Sequence, residues 1–131
     1  MTDDPGVFDA MLAEVTGGAG RFGHREHVRL TWLAVRRHGT SAAVDLVSDG
    51  IRRTARYAGA PQKYHATVSR AWVLLVGHHA AGGEEDFDQF VTRCPALLDK
   101  RLLAAHYRSA TLASAAARTG WVEPDLRPLP S

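Results

Sequence analysis

Residues 22–39 constrain the fold of this chain more than any other stretch. Two histidines, His24 and His27, stand three residues apart at its start, and apolar residues then recur at spacings of three and four up to Gly39. This spacing predicts a helix from about His24 to His38 that is apolar over much of its circumference, so it belongs near the centre of the fold. Gly39 is expected to end it, because glycine is common just after a helix.

The remaining periodic segments predict a compact all-α bundle of five to seven helices. Strand alternation and internal repeats are both missing from the sequence. The further helices are expected from Pro5 to about Val15, from a cap at Thr40 or Ser41 to about Tyr57, from Lys63 to about His79, from Phe87 to just before Pro95, from Pro95 to about Tyr107, and from Ser109 to just before Gly120.

The C-terminal residues 121–131 differ from the rest of the chain, since three prolines at close spacing exclude a helix there. Trp121, Leu126 and Leu129 are apolar, and burying them would be favourable. We therefore expect an extended arm packed on the bundle, walling the histidine pocket described below. With the arm included, residues 1–131 are expected to form a single helical domain.

The composition is that of an ordinary globular protein, with 45% apolar and 23% charged residues and a formal net charge of +2. The single Cys94 excludes an intramolecular disulfide and a cysteine-based metal cluster, which fits a reducing cytoplasm. The acidic N-terminal residues do not resemble a signal peptide, and no apolar run approaches the roughly 20 residues that span a bilayer. We expect a cytoplasmic protein with no membrane partner.

Three histidines form the candidate site. His24 and His27 lie on one side of a helix, and the positive end of the helix dipole keeps their rings neutral, the form that binds metal or accepts a proton. His65 is expected in the first turn of the helix that begins at Lys63. If these two helices begin at the same end of the bundle, His24, His27 and His65 converge on a site that suits Zn, Fe or Cu. A metal-free polar pocket uses the same residues.

Lys63 and Tyr64 extend this candidate site towards catalysis. With His27 and His65 they supply a cation, a phenol and two imidazoles, which could bind an anionic substrate and move a proton. Tyr107 is a further candidate for the rim. In the competing interpretation Lys63 is solvated, Tyr64 packs on Pro61, and only His65 points inward.

The sequence favours a small-molecule ligand or substrate as partner, and a second copy of the chain is also open. Nucleic acid is not favoured, because neighbouring acidic residues dilute the basic cluster of Arg36, Arg37, Arg52, Arg53 and Arg56. The function expected first is a small-molecule enzyme that uses the histidine-lined pocket by metal-dependent or histidine-based acid/base catalysis. The alternative is a non-catalytic helical module that binds a ligand or a protein.

Several motifs point to a family. They are Phe22-x-His24-x-x-His27, Lys63-Tyr-His-x-Thr67 and Trp121-Val-Glu-Pro-Asp-Leu-x-Pro-Leu-Pro130. This set resembles a family of small bacterial helical proteins, frequent in actinobacteria, which are known as hypothetical proteins without an assigned activity. The resemblance covers residues 22–130 and implies a complete domain of that family. It supplies no reaction and no ligand.

Overall fold

A computed structural model describes residues 5–17, 22–80 and 84–130. Within these ranges it contains α-helices and short 3₁₀ segments and no strand, which confirms the all-α prediction. The α-helices are α1 (Pro5–Thr16), α2 (His24–His38), α3 (Thr40–Tyr57), α4 (Ala66–Ala80), α5 (Phe87–Arg93), α6 (Ser109–Leu112) and α7 (Ala115–Thr119). The 3₁₀ segments are Pro61–Lys63, Pro95–Leu98 and Lys100–Ala105.

Helices α2, α3 and α4 form the centre of the bundle, and each packs against the other two. Gly39 alone separates α2 from α3, and its φ of 84° is a conformation that glycine adopts without strain. This short link turns α3 back along α2. Gly77, late in α4, packs on the side chain of Thr40 at the start of α3, so α4 runs antiparallel to α3. Helices α2 and α4 therefore run parallel and begin at the same end of the bundle.

Helix α1 lies against α2 and α3 and buries Phe8, Met11 and Val15. The Phe8 ring occupies the space beside Gly50 in the middle of α3. A Cβ atom built on Gly50 would stand only 2.1 Å from a Phe8 ring carbon. Gly50 is thus required by the close approach of the two helices.

Helix α5 contacts α2 through aromatic rings. The Trp32 ring of α2 lies 5.7 Å from the Phe87 ring and 6.3 Å from the Phe90 ring, measured between centroids. Asp86 caps α5, because its carboxylate accepts a hydrogen bond from the backbone N–H of Gln89. Both α5 and α2 also contact the 3₁₀ segment Pro95–Leu98.

The prediction of a helix from Pro95 to about Tyr107 is wrong. Two 3₁₀ segments take its place, separated by Asp99 in an extended conformation (φ −94°, ψ 108°). The Asp99 carboxylate accepts a hydrogen bond from the backbone N–H of Arg101 and so begins the second segment as a cap. Leu97 and Leu103 still reach the core from these short segments.

Two further helix boundaries differ from the prediction. Helix α4 begins at Ala66 rather than at Lys63, because Pro61–Lys63 form a separate 3₁₀ turn and Tyr64 is extended. The segment from Ser109 to Gly120 is two helices rather than one. Ser114 divides them, and its hydroxyl caps α7 by accepting from the backbone N–H of Ala117.

The C-terminal arm, residues 121–130, is held by hydrogen bonds to its main chain. The buried Thr67 hydroxyl donates to the Gly120 carbonyl at 2.6 Å and accepts from the Val122 N–H at 3.2 Å. The Tyr107 hydroxyl donates to the Val122 carbonyl at 2.7 Å. The Leu126 N–H donates to the carbonyl of His106 at 2.9 Å.

Charge and aromatic contacts add to these bonds. The Asp125 carboxylate accepts from the Arg108 N–H at 3.0 Å and from the Thr111 hydroxyl at 2.6 Å, which lowers the pKa of that carboxyl. The Arg70 guanidinium lies 4.6 Å from the centre of the Trp121 ring. The arm is therefore tied to α4 and to residues 106–111.

A membrane-spanning helix is not found in the described ranges, since none of their helices combines sufficient length with sufficient apolar character.

Replacing Gly50 by alanine should destabilise the protein. Alanine improves helix propensity by about 1 kcal/mol, but crowding a packed core costs about 1–3 kcal/mol, and the rigid Phe8 ring lies in the way. Because the added Cβ would stand 2.1 Å from a ring carbon, we place the crowding cost in the upper part of that range and expect a net loss of about 1–2 kcal/mol in the free energy of unfolding, measured by denaturant titration. In the Phe8→Leu background the same substitution should cost less. An equal cost in both backgrounds would contradict the Phe8 contact.

Replacing Tyr107 by phenylalanine tests how the arm is held. Tyr107 is 1% exposed, and its hydroxyl is the partner of the Val122 carbonyl. Losing this hydrogen bond should lower the free energy of unfolding by about 0.5–1.5 kcal/mol. Tyr57→Phe is the matched control, because Tyr57 is 87% exposed. Equal stability of the two variants would show that the Tyr107 bond contributes nothing.

Candidate functional site

An open cleft of about 300 Å³ lies at the end of the bundle where α2 and α4 begin. We call it the histidine cleft. All three predicted site histidines and the predicted lysine line this cleft. Its lining residues are Phe22, Gly23, His24, His27, Ile51, Lys63, His65, Val68 and Ser69.

His24 is anchored in this cleft by two contacts. Its Nε2 lies 2.9 Å from the Leu97 carbonyl, and because a carbonyl can only accept, Nε2 carries the proton. The ring packs edge-on against the buried Trp72 ring of α4, with centroids 4.6 Å apart. His24 thus connects the start of α2 to α4 and to the 3₁₀ segment at residues 95–98.

His65 has a structural role at the same place. Its Nε2–H donates to the Leu112 carbonyl at 2.7 Å, and its Nδ1 accepts from the Val68 N–H at 3.2 Å. Both ring nitrogens are therefore occupied, so the ring offers no lone pair to a metal or to a substrate proton. The residue lies just before α4 rather than inside its first turn, and its ring caps that helix.

The predicted metal set His24, His27 and His65 therefore needs correction. Metal coordination requires an unprotonated nitrogen from each ring, and the nitrogens of His65 already bond the main chain. Across residues 5–17, 22–80 and 84–130, no three His, Cys, Asp or Glu side chains are grouped so that they could hold a metal ion. The same hydrogen bonds remove His65 from the predicted catalytic set.

His27 differs from both neighbours. It is half-buried, and its ring has no hydrogen-bond partner among the described residues. The ring lies 6.0 Å from the Phe22 ring and 6.2 Å from the His24 ring, between centroids. Burial, and secondarily the nearby His24, lowers the pKa of His27 from 6.5 to about 4. At neutral pH this imidazole is uncharged and keeps a free lone pair.

Lys63 and Tyr64 separate at the cleft. Lys63 is exposed at the end of its 3₁₀ turn and lines the cleft, as a cation at the rim would. Tyr64 does not line it, because its phenol faces α3 near Ser48, Asp49 and Arg52, where burial raises its pKa. Tyr64 is thus removed from the predicted catalytic residues.

Tyr107 and the arm also lie away from the histidine cleft. The Tyr107 hydroxyl bonds the Val122 carbonyl, and burial raises its pKa to about 12, so it is a structural donor. No residue of 121–130 belongs to the cleft lining. The predictions that Tyr107 reaches the rim and that the arm walls this pocket are wrong.

Ser69 is the polar lining residue that the sequence analysis missed. It is buried to 6% exposure in α4, and its hydroxyl has no hydrogen-bond partner in the described part of the chain. Ser69 stands four residues after His65, and its N–H donates to the His65 carbonyl at 2.9 Å. That spacing, which places both side chains on one face of a helix, was the signal available in the sequence.

The basic cluster outside the cleft is largely paired. Arg37 bonds Glu14 with two nitrogens at 2.9 and 3.0 Å, and this raises the pKa of the guanidinium. Arg52 lies 3.5 Å from Asp49, and Arg53 lies 3.6 Å from Asp9. These arginines neutralise acidic neighbours instead of forming a continuous basic surface.

The low pKa of His27 makes a prediction about stability. Between pH 6.5 and 4 the unfolded chain protonates His27 and the folded chain does not, so stability falls as the pH falls through this window. At about 1.4 kcal/mol per pKa unit the loss amounts to roughly 3 kcal/mol. His27→Gln should remove that part of the pH dependence in denaturant titrations, whereas His78→Gln, at an exposed position, should not. Equal pH profiles for wild type and His27→Gln would contradict the buried, neutral imidazole.

Comparisons with known proteins do not add to this description of the site. No protein-family model matches the chain, and searches of curated proteins and of solved structures give no significant match. The resemblance to small bacterial helical proteins stays a prediction.

Proposed function

We propose that the histidine cleft binds a small anionic molecule and that His27 accepts a proton from it. This is the histidine-based acid/base form of the small-molecule enzyme. One observation carries the proposal: an uncharged imidazole without a hydrogen-bond partner in the described residues lines a cleft together with a lysine. His65 bonds the main chain through both ring nitrogens and His24 through Nε2, whereas neither nitrogen of His27 has a partner in the described residues, so we assign the role of proton acceptor to His27.

An anion is favoured by the charges of the lining. Lys63 is a cation, and no carboxylate belongs to the described residues that line the cleft. Glu26 lies close by, but its carboxylate accepts from the Gly23 N–H at 2.7 Å and caps α2. The positive end of the α2 dipole adds to the attraction. Inside the cleft, the buried Ser69 hydroxyl can donate a hydrogen bond to the bound anion.

The bound anion also adjusts His27 for proton transfer. With a pKa of about 4, the imidazole of the empty cleft is a weak base. A negative charge about 6 Å from the ring, at an effective dielectric constant of about 20, stabilises the imidazolium by roughly 3 kcal/mol. That energy raises the pKa by about 2, towards neutrality, where an acid/base residue is most effective. The substrate thus activates its own base.

The proton balance defines the reaction class. A ring nitrogen of His27 takes a proton from a C–H or O–H group of the substrate, and the electron pair stays on the substrate. The added negative charge lies near Lys63 and beside the new imidazolium, which stabilises it. The imidazolium then returns its proton to the same or to another atom. Isomerisation or exchange at an acidic C–H bond fits this sequence.

The alternative is a ligand-binding module that performs no chemistry. The low pKa of His27 is the observation that favours it, because a weak base can serve as a hydrogen-bond acceptor without removing a proton. The module would use the same contacts to Lys63 and Ser69. Binding and proton transfer must therefore be measured separately.

The binding step is tested by NMR titration of the histidine rings in the presence of inorganic phosphate or acetate. We expect the pKa of His27 to rise from about 4 towards neutrality as the anion binds. Lys63→Gln should weaken binding and reduce this rise, because it removes the cation from the lining. Lys100→Gln is the matched control, an exposed lysine outside the cleft. Unchanged His27 resonances with both anions would refute the anion site.

Proton transfer is tested with pyruvate in D₂O, since this molecule carries a carboxylate and exchangeable C–H bonds. If the protein is this enzyme, the methyl protons should be replaced by deuterium faster than in buffer alone, as observed by NMR. His27→Gln should lose this acceleration. Pyruvate that raises the pKa of His27 without faster exchange would favour the module.

A further inference from the structure

A second, larger cleft lies on another part of the bundle and involves none of the residues proposed above for the anion site. We call it the cysteine cleft. It has a volume of about 660 Å³ and lies between the end of α4, residues 93–97, Leu102, His106 and the end of the arm. Cys94, the single cysteine of the chain, lines this cleft and is half-buried. The volume is within the roughly 300–1,000 Å³ of ordinary ligand pockets.

One part of the cysteine cleft is apolar. Leu75 of α4 and Leu97 of the 3₁₀ segment are 2% and 1% exposed, and Leu102 adds a third leucine. Prolines of the 3₁₀ segment and of the arm complete this part. Their fixed backbone makes the wall rigid, so little ordering is needed when a ligand is bound.

The polar part of the lining has one sign of charge. It holds Arg93, Arg127 and two histidines, and none of the described residues that line it is acidic. Arg93 is already committed, because its guanidinium pairs with the Glu85 carboxylate and donates to the His79 carbonyl at 2.7 Å. Arg127 has no carboxylate partner in the described ranges. It is the cation of this cleft that remains available to an anionic group.

His106 holds Arg127 in position. Its Nδ1–H donates to the Arg127 carbonyl at 2.9 Å, and its own carbonyl accepts from the Leu126 N–H. His106 is 7% exposed, so this connection is buried beneath the arm. The backbone that carries the Arg127 guanidinium is therefore attached to a buried residue, and these bonds involve none of the arm's exposed side chains.

We propose that the cysteine cleft binds small amphipathic carboxylates. The apolar body of such a molecule lies against Leu75, Leu97 and Leu102, and its carboxylate pairs with Arg127. An apolar wall next to one uncompensated guanidinium matches the two chemical ends of this ligand class. The proposal is independent of the anion site at His27, since the two clefts share none of the described lining residues.

Cys94 provides the test, because a thiol in the lining reports occupancy of this cleft alone. The rate at which iodoacetamide alkylates Cys94 is measured by mass spectrometry at increasing concentrations of octanoate. We expect octanoate to slow alkylation in a saturable manner. Octan-1-ol, with the same chain and no charge, should protect at least about tenfold less well, since a charge-assisted hydrogen bond is lost.

Variants separate charge from shape. Arg127→Gln should weaken octanoate protection about tenfold and leave octan-1-ol unaffected, whereas Arg127→Lys should restore part of it. Arg56→Gln, an exposed arginine of α3, is the matched control. His27→Gln should leave octanoate protection unchanged, so failure of the anion site and failure of this proposal have different signatures. Equal protection by octanoate and octan-1-ol, or no protection by either, would overturn the carboxylate site.

Discussion

The parallel packing of α2 and α4 is the constraint on which both clefts depend. Gly39 turns the chain within one residue, so α3 must run back along α2, and α4 then repeats the direction of α2. The two N-termini meet at one end and bring His27 of the first helix beside Lys63 and Ser69. The late turns of α4 carry Leu75 and His79 to the cysteine cleft, where the arm closes over them. A link after α2 that did not turn α3 back would not bring these residues together at either cleft.

The three histidines of the histidine cleft differ in chemical state because their hydrogen-bond partners differ. His65 lies between the Leu112 carbonyl and the Val68 N–H, which satisfy both of its nitrogens. The Nε2–H of His24 donates a hydrogen bond to the Leu97 carbonyl. His27 receives burial without a partner from the described residues, and desolvation then disfavours its charged form. The same side chain is a cap, an anchor and a candidate base according to the main-chain atoms within reach.

Local pattern was sufficient for α2 and α3 because their signals agree. The predicted bounds of both helices match the structure, since apolar spacing and the glycine between them point to the same ends. The prediction of an α-helix from Pro95 to Tyr107 is wrong because, over only four to six residues, an apolar spacing of three fits a 3₁₀ segment as well as an α-helix, and the extended Asp99 separates two such segments. The role of His65 could not be predicted at all, because its partner Leu112 lies 47 residues away in the chain. The meeting of His24, His27 and Lys63 followed from helix directions, whereas the availability of each ring nitrogen depended on such distant partners.

The hydrogen bonds that hold the arm go mostly to its backbone. Thr67, Tyr107 and His106 bond the peptide groups of residues 120, 122 and 127 through their side chains, and the His106 carbonyl bonds that of residue 126. Peptide groups are the same whatever residue carries them, so these bonds place little demand on the identity of the arm's exposed residues. In related chains the side chain at position 127 could therefore change with the arm still docked. Ligand selectivity at the cysteine cleft can in this way evolve separately from the stability of the fold, because the bundle supplies most of the groups that hold the arm.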